Sequence, residues 1–341
     1  MAFGPAAAES TQQPIDPAVR SGIALNRLLR CRRDRLLRDL NGRMDQLQSI
    51  PSAAALAAQP QKQHDDRELV HHLRTGLRRL RTLADAFPDQ WSGPSAQGLR
   101  RLARWAGNVR DLDVLLLALQ AHPSTLSARE RGRLQHVIRR LELSRGTQRQ
   151  LLAQQLANAR GPLALAGQSP EPLSAAEVEA AMPLLRAAPV RQLAVLRLHP
   201  GWGNGQRPHH GSEAERHQHA LRKTFKQLRY QLELFEGLLP DLHDRLITLK
   251  RTQDSLGLLQ DLTVWRRLLK QHLKGGFRST LPELAASWRL QADAAWGDWI
   301  ACRAGWLDSR QGLEAWQRWL LDQTHLPEPP LVSAHPRQET P

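Results

Sequence analysis

The hydrophobic positions of this 341-residue chain recur with the period of an α-helix. Leucines return every three or four positions in each long segment, and charged residues fill the opposite faces, which is the pattern of amphipathic helices. No stretch alternates convincingly with the period of two that a half-buried strand requires. We therefore expect an all-α protein, with helices over residues 18–47, 66–87, 95–120, 127–160, 174–198, 212–240, 241–273 and 280–323.

Four of these helices begin at a Ser/Thr-x-x-Glu sequence, in which the first residue and the glutamate can cap the helix reciprocally. These predicted capping boxes are Ser127/Glu130, Ser174/Glu177, Ser212/Glu215 and Thr280/Glu283. Proline marks other boundaries: Pro88 stops the second helix, and Pro183 and Pro189 are expected to bend the fifth. The glycine-rich stretch 200–211 is expected to be a long flexible loop.

Stretches rich in proline, glycine and small polar residues divide the chain into two halves. We expect a flexible N-terminal tail at 1–17, a first four-helix half at 18–161, a linker at 162–173, a second four-helix half at 174–325 and a disordered C-terminal tail at 326–341.

Two of the predicted helices carry the same row of basic residues beside an apolar stripe. The first ridge consists of His71, Arg74, Arg78 and Arg81, and the second ridge, 148 positions further on, of His219, Arg222, Lys226 and Arg229. Like charges on one helix face repel each other, so each row costs stability unless an anion meets it. Two copies of the row predict one anion site built from both.

The duplication continues in the following helix, at an offset of 150 positions. Gly107 with Arg110-Asp111-Leu112 matches Gly257 with Gln260-Asp261-Leu262. Glycine inside a helix costs about 1 kcal/mol relative to alanine, so the paired glycines predict two close helix crossings. A duplicated four-helix unit predicts tandem bundle halves with pseudo-two-fold symmetry and the ridges facing each other.

The chain is strongly basic, with 48 Lys and Arg against 33 Asp and Glu and a formal net charge of +15. This surplus predicts an anionic partner such as nucleic acid, a polyanion or a membrane surface. All but six of these cations are arginines. Codon bias toward arginine explains the total, whereas the clustering on helix faces favours bidentate binding of phosphate oxygens.

Several absences point to a cytoplasmic protein. Cys31 and Cys302 lie in no metal-binding or redox spacing, which fits a reducing compartment. Residues 1–10 lack the pattern of a signal peptide, and the most apolar run, 114–119, is too short to span a bilayer. No membrane insertion is expected.

The residues of the ridges and of the following helices together resemble a known family. His-x-x-Arg-x-x-x-Arg-Arg-Leu-Arg at 71–81, with Gly-x-x-Arg-Asp-Leu-Asp at 107–113, is similar to the first repeat of the CHAD domain (conserved histidine α-helical domain). His-x-x-Arg-x-x-x-Lys-x-Leu-Arg-Tyr at 219–230 and Leu-Gly-x-x-Gln-Asp-Leu at 256–262 resemble its second repeat. The resemblance covers roughly residues 20–323.

The resemblance implies eight helices in two four-helix halves around a basic central channel that binds inorganic polyphosphate. Members of the family occur in polyphosphate granules, and some are fused to a triphosphatase domain. No such domain is expected here, because neither 213–215 nor 177–179 is followed by the lysine of an ExExK motif. The chain departs from the family pattern at Gln227, where a second basic residue is usual, and at Thr263, which stands in the place of Asp113.

The candidate polyphosphate-binding residues are the basic residues of both ridge helices and of the helix after each. They are His71, Arg74, Arg78, Arg79, Arg81, Arg100, Arg101, Arg104, His219, Arg222, Lys223, Lys226, Arg229, Lys250 and Arg251. The alternative for the ridges is a solvated face paired with acids of neighbouring helices. Anion binding is favoured because no carboxylate lies between His71 and Thr82.

Other candidate residues keep two interpretations. The cations at 100–104 and 250–251 either complete the channel wall or are surface charges near helix starts. His71 and His219 either bond a backbone carbonyl in the core or, when protonated, add a donor to the anion site. The tryptophans at helical spacing, Trp288, Trp296, Trp299, Trp316 and Trp319, are expected to be mostly core.

We expect neither metal, cofactor nor catalysis. The histidine pairs lack cysteines or paired acids at ligand spacing, and the chain has no GxxxxGK[ST], Rossmann, HExxH or GxSxG motif. Asp111 and Asp261 are expected to orient arginines rather than to act as acids. The predicted function is non-catalytic binding of polyphosphate, in the cytoplasm and at polyphosphate granules, with other polyanions and granule-associated proteins as further candidate partners. Nucleic acid bound in the same groove and a phosphoanhydride-acting enzyme remain the alternatives.

Overall fold

The protein is helical throughout the residues that the computed structural model describes, which are 16–49, 60–121, 126–164, 171, 173–203, 205–239, 241–273, 275–308 and 310–322. The helices are α1 (Pro17–Ser49), α2 (Pro60–Ala86), α3 (Ala96–Gln120), α4 (Ala128–Asn158), α5 (Arg160–Leu163), α6 (Ala175–Arg197), α7 (Glu213–Leu232), α8 (Leu242–His272), α9 (Phe277–Thr280), α10 (Pro282–Leu307) and α11 (Leu313–Asp322). Within these ranges there is no strand, and the all-α prediction is confirmed.

The eight predicted helices correspond to α1–α4, α6–α8 and the pair α10–α11. The ridge helix α2 begins at Pro60 rather than at residue 66, and α6 continues through both of its prolines. The predicted last helix, 280–323, corresponds to α10 and α11, which are separated at residue 308, where the backbone is extended. The short helix α9 precedes it and ends at residue 280. The predicted tails, apart from residues 16 and 17, and most of the predicted linker lie outside the described residues.

Three hydrophobic clusters form the core, and two of them combine residues of both halves. Helix α1 joins two clusters: Leu25 and Leu28 pack with the second half, whereas Leu40 and Met44 pack with α2 and α3. The third cluster combines α3 and α4 with α8 and α10. Burying each of these large apolar side chains contributes about 1.5–3 kcal/mol, so the two halves stabilise each other.

Helices α4 and α10 exchange their caps across the two halves. Ser127 accepts a bond from the Glu130 backbone, but the Glu130 carboxylate accepts from the backbone nitrogens of Glu283 and Leu284 at 3.0 and 2.8 Å. Glu283 in turn accepts from the Ser127 nitrogen at 2.6 Å. The predicted Thr280/Glu283 box is therefore wrong, and the Ser127/Glu130 box is only half formed. Ser174/Glu177 is a complete capping box, as predicted.

The stretch 200–211 is more ordered than its composition indicated. It begins with a 3-10 turn, Pro200–Gly203, that buries Trp202 against Phe225 and Trp299. A Cβ on Gly201 would lie 2.8 Å from the His217 carbonyl oxygen, so only glycine fits there. Most predicted core tryptophans are buried, and Trp296 is partly buried.

Candidate functional site

The two ridges lie on α2 and α7, which contact each other. Each helix is anchored by a fully buried apolar stripe on one side. The stripes consist of Leu73, Leu77 and Leu80 in α2, and of Leu221, Phe225 and Leu228 in α7. Because the stripes hold both helices in the core, the basic faces are fixed beside each other.

Four cations, two from each ridge, meet where these helices face each other. We call Arg74, Arg78, Arg222 and Lys226 the central cluster. Burial is the main cause that lowers the pKa values of Arg74, Arg222 and Lys226, and in each case a cation of the opposite ridge lowers the pKa further. The cluster thus combines positive charges from both halves in one partly desolvated place.

The guanidinium groups of Arg74 and Arg222 lie over the paired glycines of α3 and α8. A Cβ built on Gly107 would be 3.6 Å from Nε of Arg74, and one on Gly257 would be 3.6 Å from Nη2 of Arg222. At both glycines the nearest atoms of another element belong to these arginine side chains and not to a helix backbone. Each guanidinium group thus covers one of the paired glycines, and the close helix crossings stay a prediction.

An aspartate follows each glycine by one helical turn and faces the same arginine. Asp111 Oδ1 is 3.7 Å from Nη2 of Arg74, and Asp261 Oδ1 is 3.9 Å from Nη2 of Arg222. These separations exceed the 2.7–2.9 Å that is typical of charge-assisted hydrogen bonds, so the carboxylates orient the arginines without saturating them. Burial raises the pKa of Asp261, and the neighbouring Asp111 charge raises it further, although Arg222 and Lys226 lower it.

Matched donors in the two ridges are left without a hydrogen-bond partner among the described residues. They are the buried Nε atoms of Arg74 in the first ridge and of Arg222 in the second. The Nε atoms of Arg81 and Arg229 also form no hydrogen bond, but each lies 3.4 Å from a carboxylate, that of Asp85 or Glu233. A buried donor without a partner costs about 1–3 kcal/mol, so its recurrence at equivalent positions indicates a place for an acceptor. The acceptor that fits such a row of cations is an anion.

Lys226 is the most perturbed cation of the central cluster. Burial, followed by the charges of Arg222, Arg78 and Arg74, lowers its pKa to about 6, while Asp261 raises it only in part. In the described part of the chain, no carboxylate lies within ion-pair distance of Lys226 or Arg78. The same surroundings lower the pKa of Arg74 to about 10. An anion in the cluster would relieve this repulsion.

The ridge histidines also occupy matched surroundings. Burial and the charge of Arg110 lower the pKa of His71. In the second half, Gln260 stands at the position of Arg110 and hydrogen-bonds His219, whose pKa is lowered to about 4 by burial and by the neighbouring ridge cations. Both rings are therefore neutral near pH 7 before any anion binds. Arg110 was not among the candidates, although it lies in the repeated motif.

Neighbouring helices supply more carboxylates than the sequence argument expected. Glu233 lies 2.8 Å from Arg79 and 3.4 Å from Arg229, so that it joins the two ridge helices. Asp85 lies 3.4 Å from Arg81 and 4.0 Å from Arg100. The expectation that acids are scarce holds within the ridge sequence but is wrong for the folded surface, where the outer cations are paired.

The other candidates lie apart from the central cluster or are fully solvated. Lys250 pairs with Asp254 one turn along α8 at 3.0 Å. Arg251 lines a separate outer cavity beside Trp306 and Trp316. The exposed candidates with no ion pair within the described ranges are Arg101, Arg104, Lys223 and Arg251.

Among the residues that the structure describes, no group of three or more His, Cys, Asp or Glu side chains could hold a metal ion. Likewise, none of the helices in the described ranges has the length and apolar character needed to cross a bilayer.

The chain matches a protein family and is similar to solved structures. The solved structure of PptA from Streptomyces chartreusis is similar at 17% sequence identity and a TM-score of 0.48, over 82% of this chain and 98% of PptA. No curated protein matches the chain. Residues 24–270 match the CHAD domain family, a match that ends before α9. Because the match spans well over half of the sequence and contains both ridges, the chain belongs to the CHAD domain family.

Proposed function

We propose that the protein binds inorganic polyphosphate, without catalysis, along the groove that the two ridges form. The observation that carries this proposal is the central cluster, with cations from both halves and matched donors that have no protein acceptor in the described ranges. Membership of the CHAD domain family supports a polyphosphate-related role.

The spacing of the ridge cations favours a chain of phosphates over an isolated anion. Side chains three or four residues apart on a helix lie about 5–6 Å apart, so each ridge presents a regular series of donors. Guanidinium forks bind phosphate oxygens bidentately, and each contact releases condensed counterions.

The aromatic residues near the groove favour polyphosphate over nucleic acid. Phe225 is fully buried, and Tyr230 is 7% exposed beneath the Arg229 guanidinium, which lies 5.0 Å from its ring centre. Single-stranded nucleic acids are held largely by stacking on exposed aromatic rings. Neither ring offers such a face.

The carboxylates of the groove favour binding over hydrolysis. Asp111 and Asp261 each face an arginine, and no third carboxylate or histidine of the described residues completes a metal site with them. Phosphoanhydride hydrolysis in the usual metal-assisted form needs such a site.

The test is binding of long-chain polyphosphate to Arg78→Gln/Lys226→Gln, compared with Arg104→Gln/Arg251→Gln. Both variants replace two basic side chains by neutral ones, but the second pair lies outside the central cluster. We expect the first variant to lose about 100-fold in affinity and the second less than about threefold, because hydrogen bonds to charged groups are worth about 1.5–3 kcal/mol each. Equal losses would show a general charge effect and contradict the assigned groove.

Two further measurements separate polyphosphate binding from its alternatives. Displacement of polyphosphate by single-stranded RNA at equal phosphate concentration would favour nucleic acid as the ligand. Phosphate released from polyphosphate with Mg²⁺ or Mn²⁺ would favour an enzyme, and we expect none. We further propose a place at cytoplasmic polyphosphate granules, and a fluorescent fusion that stays diffuse in granule-containing cells would contradict it.

A further inference from the structure

A cavity of about 260 Å³ lies at the start of α7, beyond the His219 end of the second ridge. Its walls come from α7, α8, α9 and the segment before α7, and its polar lining includes Arg207, Gln218, His219, Gln260, Arg266 and Arg278. Three arginines from separate segments thus face one partly open cavity. None of them was a candidate from the sequence, because they are adjacent only in the folded chain.

The positive charge of this cavity is only partly neutralised. Glu215 accepts bonds from the Gly211 nitrogen at 2.7 Å and from Thr263 at 2.9 Å, and so is already engaged. Arg207 pairs with Asp293 at 2.9 Å. No carboxylate of the described residues lies within ion-pair distance of the two remaining arginines, those of α8 and α9.

Two buried polar atoms in the lining also have no hydrogen-bond partner. Nε2 of Gln218 and Nδ1 of His219 are without a hydrogen-bond partner among the residues that the structure describes, and Gln218 is only 8% exposed. Burial and the charges of Arg207 and Arg278 lower the pKa of Arg266. The cavity therefore has the composition of an anion site: three arginines, an unsatisfied amide donor and partial exclusion of water.

The cavity adjoins the groove of the proposed function. His219 belongs to the second ridge and lines the cavity, and the charges of Lys223 and Arg222 lower its pKa. Gln260 lines the cavity as well and directly precedes Asp261, which faces Arg222. A phosphate chain along the second ridge would therefore reach the cavity at this end.

We propose that this cavity binds a terminal phosphate group, either the end of a polyphosphate chain or inorganic phosphate. A terminal phosphate differs from an inner one by one more free oxygen and a second ionisation, so it needs more donors around it. Three arginines and the amide of Gln218 meet that need. With a chain as the source, the inference rests on the proposed function and gives the groove a direction, with one end of the polymer seated beside Arg266.

The test compares Arg266→Gln with its sequence neighbour Arg267→Gln. Both changes remove one charge from α8, but Arg267 is exposed and does not line the cavity. The ligands are linear tripolyphosphate and cyclic trimetaphosphate, which contain the same number of phosphates, although only the linear one has ends. By titration calorimetry, we expect Arg266→Gln to weaken tripolyphosphate about tenfold or more, with trimetaphosphate unchanged and Arg267→Gln within about twofold of wild type.

Binding of inorganic phosphate, measured without any polyphosphate, shows whether the ligand is the free ion or the end of a chain. Saturable binding of phosphate that is lost in Arg266→Gln supports the free ion as a ligand, whereas tripolyphosphate binding without phosphate binding supports the chain end. Arg278→Gln is a second variant at an exposed position, where a substitution has little effect on folding. It should weaken the binding of the same ligand. Equal affinity of Arg266→Gln and wild type for tripolyphosphate and phosphate overturns the inference.

The test of the cavity and the test of the groove can give different results. If Arg78→Gln/Lys226→Gln loses long-chain binding while Arg266→Gln leaves tripolyphosphate unaffected, the groove stands and the cavity inference fails. If the groove variant binds long chains undiminished while Arg266→Gln loses tripolyphosphate, the cavity is an independent phosphate site and the proposed function fails.

Discussion

The two halves of the protein are alike at the central cluster and unlike at their ends. In the first half, the end of the ridge is closed by a buried ionic network. Asp66 lies 2.6 Å from Arg145 and 2.9 Å from Arg149, and Asp113 lies 2.8 Å from Arg145. Both aspartates are fully buried, and Arg149 also donates to the Leu47 carbonyl oxygen at 2.6 Å.

In the second half, the equivalent positions form the wall of the cavity. Arg67 and Asp113 lie 3.8 Å apart in the first half, and their counterparts Glu215 and Thr263 are joined by a 2.9 Å hydrogen bond in the second. The fully buried Leu116 corresponds to Arg266, at the offset of 150. The duplicated helices thus place equivalent residues at equivalent points of the two halves. A few differences in side chain at these points make one ridge end part of the core and the other end a cavity lined by cations.

The closed end should carry much more stability than the open one. Asp66→Asn leaves the buried Arg149 without its charge partner and leaves Arg145 with Asp113 alone. Breaking a buried ion pair in this way costs about 3–5 kcal/mol. Thr263→Val removes one neutral-to-charged hydrogen bond at a half-buried position and should cost about 1 kcal/mol. Urea denaturation followed by circular dichroism measures both. Similar losses at the two ends would contradict the difference between the halves.

The second half should make binding depend on pH, because Lys226 stands where the first half has Arg78. In the free protein the pKa of Lys226 is about 6, so its amine is mostly neutral at pH 7.5. A bound polyanion raises that pKa, so binding takes up a proton, and affinity should rise about tenfold as pH falls toward 6 and then level off.

Titration calorimetry in buffers of different ionisation enthalpy measures how many protons the protein takes up when it binds the ligand. Long-chain polyphosphate is the suitable ligand, since its inner phosphates stay singly charged over this range. Lys226→Arg should abolish the uptake and flatten the pH profile, because arginine remains charged. Uptake that persists in Lys226→Arg would assign the proton to another group.

Removing the amine of Lys226 should stabilise the unliganded protein. The folded pKa lies below the value of 10.5 usual for lysine, so the unfolded chain binds the proton more tightly between pH 6 and 10.5. Over that window the wild-type protein gains stability as pH rises, and Lys226→Met should raise Tm at pH 7 by roughly 2–4 °C for each kcal/mol of relieved strain. A lower Tm than wild type at pH 7 would show that the lysine stabilises the fold.

The smallest effects should come from the paired glycines and should be equal in both halves. A Cβ at Gly107 or Gly257 would meet arginine nitrogens at 3.6 Å, which is ordinary van der Waals contact. Gly107→Ala and Gly257→Ala should therefore leave affinity nearly unchanged and add about 0.5–1 kcal/mol of helix stability. A marked loss of affinity in only one of them would show that the central contacts are not equivalent.

The helices and the ridges could be predicted from the sequence because they depend on local periodicity. Leucines at helical spacing determine which face is buried, and a basic row beside such a stripe must lie at its margin. The duplication gave the correct pairs of positions, since Arg74 with Asp111 and Arg222 with Asp261 make the same contact.

The sequence could not predict contacts between distant segments. Glu130 caps α10 rather than its own helix, and Glu233 pairs with Arg79 of the opposite ridge helix, although 154 residues separate that pair. The cavity beside Arg266 was missed for the same reason, because Arg207 and Arg278 are far apart in the chain. The paired glycines can be recognised in the sequence, but the sequence does not show that arginine side chains lie against them.

The most direct test of a groove shared by both halves is the salt dependence of polyphosphate binding in Arg78→Gln, Lys226→Gln and the double variant, at about pH 6, where Lys226 is partly charged in the free protein. With single-stranded nucleic acids as a guide, each lost phosphate contact should lower the slope of log K against log salt by about 0.7. We predict a decrease of about this size for each single variant and about twice as much for the double variant. An unchanged slope in Lys226→Gln would mean that the first ridge binds polyphosphate without the second.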